Sequence, residues 1–202
     1  MKAVYGVLII IEILALGVCA LKAEKRRGKL AKIVFCYESL AFLCGIIFAV
    51  YTFVPGVLVT TLCKGLTLAC FDWLLILLMY YTQYYTGLFH GVRSIKILLE
   101  AYAALETVML IVNAWTHHMF SVGEMTGDMI AVEFVKGSFF YQMHFIYSYV
   151  LIAILILAYL FMIARASKFY RFRYEVILSA LVVGFVLDLL SIHSQSIYDV
   201  SM

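Results

Sequence analysis

Charged side chains are scarce in this 202-residue sequence, in which Asp, Glu, Lys and Arg together make up 13%. Soluble domains use roughly 25%, so the composition excludes an ordinary water-soluble protein. Hydrophobic residues account for 66% of the chain and aromatic residues for 16%, and the mean hydropathy is +1.05. The sequence therefore predicts a protein of the lipid bilayer.

The chain also lacks long polar stretches and the short motifs of catalysis or nucleotide binding. It contains no phosphate-binding glycine loop, no nucleophile elbow and no paired-cysteine zinc spacing. The five cysteines lie within hydrophobic stretches, which is typical of small packing residues. We therefore predict no catalytic domain, no nucleic-acid partner and no cofactor within these residues; whether a longer parent protein is an enzyme stays open.

Proline is nearly absent too, with Pro55 as the single example. The hydrophobic stretches reach the roughly 20 residues that a membrane-spanning helix needs, whereas barrel strands would run about 10 residues and alternate apolar with polar. We predict an all-α, polytopic membrane helix bundle that forms one domain over residues 1–202. Its six predicted spans cover residues 3–21, 33–53, 57–82, 95–116, 140–163 and 175–193.

Basic residues are concentrated on one side of this bundle. Twelve of the 15 lysines and arginines follow the first span, precede the fourth or follow the fifth. Short loops rich in Lys and Arg stay in the cytoplasm. We therefore predict that residues 22–32, 85–94 and 164–174 are cytoplasmic, and that residues 117–138 and the N-terminus lie outside.

Carboxyl groups within the predicted spans are the most informative residues. Glu12, Asp72 and Glu106 lie near the middles of the first, third and fourth spans. A charged side chain at that depth costs about 2.5–3.5 kcal/mol on insertion scales, so each must face the bundle interior, find a partner or hold a proton. Hydrogen bonding between helices is one interpretation. A role for Glu12 and Asp72 in coupling within the membrane is the other.

A polar stripe follows the outer half of the fourth predicted helix. Glu106, Asn113 and His117 are separated by seven and four residues, which places them within about 40° on one helix face. The third, fifth and sixth helices carry further polar residues at similar depth. If the stripes face inward, they form a ligand-binding cavity that opens outward. Its predicted residues are Lys64, Glu106, Asn113, His117, His144 and Asp188.

Two adjacent histidines at the end of the fourth span also allow simpler interpretations. His118 lies about 100° from His117 and close to Trp115, as expected for an anchor at the membrane interface. His144 and His193 lie at similar depth, but adjacent histidines lack the i, i+4 spacing with which one helix supplies two metal ligands. We therefore predict no metal site.

Three stretches carry a resemblance to a known family. They are the lysine-glycine start of the third span (CKGLTLACFDWLLILLMYYTQYYTG, residues 63–87), the asparagine-histidine step of the fourth (VNAWTHHMF, residues 112–120) and the aromatic opening of the fifth (GSFFYQMHFIYSYVLIA, residues 137–153). Together they resemble the seven-helix N-terminal sensory region of bacterial histidine kinases and diguanylate cyclases, over roughly residues 30–190.

This resemblance implies a multi-pass protein of the bacterial cell membrane, in a homodimer, with a seventh helix leading to a kinase or cyclase output. Only six spans are present, so we expect the chain to be a fragment that stops before the seventh. The family's asparagine-histidine step is one residue shorter, so His117 or His118 could match it. The proline often seen in the family's sixth span is absent.

We expect a sensory domain that binds a small extracytoplasmic ligand in the outer cavity and relays helix movement to a signalling output, as in two-component systems. A small proton- or ion-coupled transporter is an alternative, because three carboxyl groups lie near the membrane midplane. The transporter alternative lacks support from broken helices. A structural or assembly subunit of a membrane complex is a third interpretation.

Overall fold

The computed structural model describes residues 2–54, 56–88, 93–122, 132–135 and 138–198. Their side chains are described as well, except at 2–5, 93–94, 122, 132–134, 187–188 and 190–198. Six helices lie within these described residues, and the all-α class is confirmed. The helices are α1 (Lys2–Glu24), α2 (Lys29–Phe53), α3 (Val57–Thr86), α4 (Arg93–Thr116), α5 (Phe139–Arg165) and α6 (Lys168–Tyr198).

Two short strands, β1 (Phe120–Val122) and β2 (Val132–Phe134), follow α4 and form an antiparallel hairpin. Phe120 pairs with Phe134, and Val122 pairs with Val132. This hairpin occupies part of the segment for which the sequence predicts an outer loop. We call the side of the bundle on which α4 ends and the hairpin lies the hairpin end.

Glycines set the limits of α3. The helix begins directly after Gly56 and ends at Gly87, whose φ of 74° is left-handed and whose N–H donates to the carbonyl of Gln83 at 2.9 Å. Glycine adopts this conformation without the steric cost that a Cβ brings, so it ends helices efficiently. The predicted limits of the third span therefore agree with the helix to within four residues.

The start of α6 differs from the prediction. The sequence places the sixth span at residues 175–193, after a cytoplasmic segment over 164–174, but helix α6 already begins at Lys168, after Ala166 and Ser167. Arg171 donates from Nε to Glu175 Oε1 at 2.8 Å, an i, i+4 pair that supports this first part of the helix. Hydropathy predicts the apolar part of a helix, whereas the helix itself can extend beyond that part, as α6 does at its start.

The chain forms two compact units, Met1–Tyr147 and Ser148–Met202. In the first, α1 packs on α2, α2 on α3 and α3 on α4, as short connections between neighbouring helices favour. Within the second, the ring of Tyr149 meets that of Phe185 edge-on with centroids 5.4 Å apart, and Tyr159 lies 6.2 Å from Tyr174. These aromatic contacts pack the remainder of α5 against α6.

Helices α3 and α4 approach each other closely and are joined along their length. A Cβ at Gly65 would lie only 2.7 Å from the carbonyl oxygen of Leu110, so the backbones meet where glycine leaves room. Towards the other end, side-chain hydrogen bonds fix how far one helix is displaced along the other. These join Trp73 to Thr107, Tyr80 to Glu100 and Gln83 to Lys96.

Within the part of the chain that the structure describes, four helices are long and apolar enough to cross a membrane by length and composition: α1 over Gly6–Glu24, α2, α3 and α5. This indicates a membrane protein, as the composition predicts. Helices α4 and α6 are the least hydrophobic of the six, and crossing of the bilayer by all six stays a prediction.

Candidate functional site

Three ionisable side chains from three helices meet inside the first unit. His144 of α5 places Nδ1 2.7 Å from Oε1 of Glu106 on α4 and 3.4 Å from Oδ2 of Asp72 on α3. The three residues are 4%, 5% and 1% exposed. We call Asp72, Glu106 and His144 the carboxylate–histidine triad. It is a buried polar junction at which α3, α4 and α5 converge.

The residues next to the triad hold it in place. Trp73, adjacent to Asp72, donates its indole N–H to Thr107 Oγ1 at 3.1 Å, and Thr107 is adjacent to Glu106. This hydrogen bond connects α3 and α4 at the level of the triad. It therefore restrains the positions of the two carboxyl groups relative to each other without the participation of His144.

Two tyrosines lie one helical turn from the triad, on the side away from the hairpin end. Tyr102 precedes Glu106 by four residues and Tyr147 follows His144 by three, so each shares a helix face with its triad residue. Their rings are 4.5 Å apart at an angle of 37°, and the Tyr147 hydroxyl donates to the carbonyl of Leu99 at 3.0 Å. This pair joins α4 to α5 beneath the triad.

An apolar layer lies on the other side of the triad, towards the hairpin end. It consists of Ala69, Leu110, Met119 and Phe120, all buried, with Leu68 packed against them. Ala69 precedes Asp72 by three residues and Leu110 follows Glu106 by four, which places the layer one turn above the carboxyl groups. The layer separates the triad from the end of the bundle.

Asn113 connects α4 to the two residues of this layer that follow the helix, Met119 and Phe120. Its Nδ2 donates to the carbonyl of Phe120 at 3.0 Å, and its Oδ1 accepts from the N–H of Met119 at 2.7 Å. The side chain is 1% exposed, and the two backbone groups that it satisfies belong to the segment entering β1. We call these two hydrogen bonds the Asn113 clamp.

His117 lies outside the predicted stripe because α4 ends at Thr116. The N–H of His117 donates to the carbonyl of Asn113 at 2.9 Å, but its φ of 53° is left-handed and its side chain is exposed. The 100° rotation per residue applies only inside a helix. His118 is exposed as well, with its ring 6.5 Å from that of Phe140.

The structure brings together two residues of the predicted cavity, Glu106 and His144, and adds Asp72, for which the sequence suggested a coupling role. Asn113 lies two turns from Glu106 on the same face of α4, but its amide is occupied by backbone groups. Lys64 is half-buried on α3, eight residues from Asp72. Asp188 belongs to α6, but its side chain lies outside the described residues.

Glu12 does not face the bundle interior, which was one of the three alternatives that the sequence allowed. Its side chain is exposed on α1, and its neighbours Leu8, Ile11 and Leu14 are exposed by 58%, 57% and 64%. The carboxyl group therefore lies within an apolar outer surface of the first unit.

The triad has the composition of a cation site. Each of its residues offers one ligand atom, and these atoms all lie within 4.8 Å of one another. Sequence reasoning missed this arrangement because it sought metal ligands among the histidines alone. The available indication was three ionisable residues inside three predicted spans, which is itself a pointer to function.

No protein-family model matches the chain, and searches of curated proteins and of solved structures find no similar protein. The resemblance to the sensory region of histidine kinases and diguanylate cyclases therefore stays a prediction.

Proposed function

We propose that this chain is a membrane-embedded sensory domain with six spans and an outward N-terminus. A small extracytoplasmic ligand acts at the hairpin end, and the resulting change in packing of α3, α4 and α5 is passed to a cytoplasmic signalling output. A histidine kinase or diguanylate cyclase is the output that the family resemblance favours.

The buried carboxylate–histidine triad is the observation that carries this proposal. Ionisable groups inside a membrane bundle are expensive to bury and are kept where they serve a function. Three such groups on three helices form a junction, and the interaction energy between them depends on their charges and on the distances that separate them. A displacement of one helix changes all three contacts together, so the junction can distinguish two arrangements of the bundle.

The Asn113 clamp supplies the connection between the hairpin end and this junction. Asn113 lies two helical turns from Glu106 on α4, and its amide holds the segment entering β1 over the apolar layer. A ligand that moves this segment must shift Met119 and Phe120, which pack on Ala69 and Leu110. Those two residues are each one turn from a carboxyl group of the triad.

An ion-coupled transporter is a second candidate, and the same triad favours it. Buried carboxyl and histidine groups mark ion pathways as well as sensory sites. The two functions differ in outcome: a sensor changes conformation on binding, whereas a transporter also moves the solute across the bilayer.

The fluorescence of Trp73 can distinguish a sensor from a transporter, because its indole N–H donates a hydrogen bond to Thr107, next to the triad. The chain has two tryptophans, so Trp115→Phe leaves Trp73 as the one fluorophore of this type. The purified chain in proteoliposomes is tested against a panel of small amino acids, carboxylates and amines. A sensor gives a saturable change in Trp73 emission without accumulation of the solute, whereas accumulation identifies a transporter.

Variants at the hairpin end test where the ligand binds. His117→Ala should weaken the response by about 2-fold to 100-fold if its ring bonds the ligand, and His118→Ala is the matched control. A solute that raises the melting temperature but leaves Trp73 emission unchanged would contradict coupling between ligand and triad.

A further inference from the structure

We propose that the carboxylate–histidine triad binds a divalent transition-metal ion such as Zn²⁺, Mn²⁺ or Fe²⁺, held by Asp72, Glu106 and His144. This deepens the proposed function, because it names a ligand of the junction, and its consequence for signalling rests on that function.

The distances fit such an ion. Nδ1 of His144 and Oδ2 of Asp72 are 3.4 Å apart, close to the roughly 3.3 Å between two ligands placed tetrahedrally at about 2.0 Å from a metal. Glu106 Oε1 lies nearer, 2.7 Å from Nδ1, as in a hydrogen bond. When the ion takes the lone pair of Nδ1, this bond is replaced by one carboxylate–metal contact.

The charges fit as well. When both carboxyl groups are ionised they carry −2, and a protonated imidazole would offset only half of this at a site where all three side chains are buried. A divalent ion neutralises both carboxylates while His144 stays uncharged and donates an electron pair. The complete site then has no net charge, which is the least costly state for a buried group.

A second observation points to a missing partner. Oε2 of Glu106 is buried and has no hydrogen-bond partner among the described residues. A buried carboxylate oxygen without a donor is costly, and a bound cation would satisfy it. This oxygen belongs to the same carboxyl group that contacts His144, so a cation that satisfies it would lie at the triad.

The ligand types identify the class of ion. Imidazole nitrogen with carboxylate oxygen suits Zn²⁺, Mn²⁺ and Fe²⁺, whereas Ca²⁺ and Mg²⁺ prefer oxygen alone. Three protein ligands leave at least one position for water or for a small anion. Since the ligands come from α3, α4 and α5, the ion would join three helices at one point.

Cobalt(II) is a suitable probe because its visible d–d absorption reports the ligand field directly. The full chain, stripped with a chelator in nanodiscs, is titrated with Co²⁺ and then with Zn²⁺ as competitor. We expect one ion per chain, with absorption typical of four or five ligands. Asp72→Asn, Glu106→Gln and His144→Gln should each weaken binding by at least about 10-fold, since even the residues that support ligands give 10-fold to 100-fold effects.

His117→Ala and His118→Ala are the matched controls for accidental binding to exposed histidines. Binding that depends on these two residues, or is indifferent to the triad variants, would overturn the proposal, as would a chain that takes up neither Co²⁺ nor Zn²⁺.

A measurement on the intact triad avoids dependence on the folding of the variants. Trp73 is adjacent to Asp72, whereas Trp115 is nine residues from Glu106, about 13 Å along α4. Bound Co²⁺ should quench Trp73 in the Trp115→Phe chain more strongly than it quenches Trp115 in the Trp73→Phe chain. Equal quenching, or quenching of Trp115 alone, would contradict a site at the triad.

The same preparation separates this inference from the proposed function. Stoichiometric metal binding at the triad, in a chain whose Trp73 emission no solute changes, supports the site and contradicts the sensory role. A solute-dependent change at Trp73 in a chain that binds no metal supports the sensory role and refutes the site.

Discussion

Removal of the Asn113 side chain should be among the most destabilising single changes in the chain. Asn113 satisfies two buried backbone groups, the N–H of Met119 at 2.7 Å and the carbonyl of Phe120 at 3.0 Å. Both groups lie beyond the last residue of α4, and so outside the hydrogen-bond pattern of that helix. In Asn113→Ala both backbone groups lose this partner within the apolar layer.

The magnitude follows from these two groups. A buried donor or acceptor left without a partner costs about 1–3 kcal/mol. Two such groups give an upper range of about 6 kcal/mol, which entry of water at the hairpin end reduces. We therefore expect Asn113→Ala to lower the free energy of unfolding by about 2–4 kcal/mol.

Denaturant unfolding in detergent micelles, followed by circular dichroism, measures this change. His118→Ala is the matched control: it removes an exposed side chain five residues away and should change stability by less than about 0.5 kcal/mol. If Asn113→Ala is as mild as this control, the clamp is not holding the hairpin end, and the path proposed from ligand to triad is refuted.

Three further predictions concern packing, the exposed apolar surface of α1, and topology. Gly65→Ala should destabilise the fold by about 1–2 kcal/mol in the same unfolding assay, because the added methyl group meets a backbone carbonyl; Gly184→Ala, with open space around it, should be neutral or stabilising. Glu12→Leu should stabilise the chain in a bilayer by up to about 3 kcal/mol, and a clear loss of stability would instead mean that Glu12 contacts a partner. Single cysteines at Lys25 and His118, both exposed, should react with impermeant reagents from opposite sides of the membrane in a cysteine-free chain; labelling from one side would refute the predicted topology.

Sequence reasoning locates helices well where local chemistry decides. Gly56 and Gly87 bound α3, and the hydrophobic length of each stretch exceeds what a strand would use. It performs less well where a helix begins before the apolar stretch, as α6 does at Lys168. Charged residues with good helix propensity can form the first turns of a helix.

Within the site, periodicity correctly places Glu106 and Asn113 on one buried face of α4. It fails at His117, since periodicity assumes a helix that has already ended. The contact of Glu106 and His144 with Asp72 depends on how far α3, α4 and α5 are displaced along one another. The pattern of polar residues on one helix face does not determine this displacement. Contacts between helices, such as Gly65 with α4 and Trp73 with Thr107, determine it.

The contact between Glu106 and His144 can be tested most directly with a double-mutant cycle. The free energy of unfolding is measured for the unmodified chain, Glu106→Gln, His144→Gln and the double variant, all in the same micelles without added metal. The 2.7 Å contact between buried groups predicts a coupling energy of about 1–3 kcal/mol. Additive effects, with coupling below about 0.3–0.5 kcal/mol, would mean that the two side chains do not meet, and would contradict the junction on which both proposals depend.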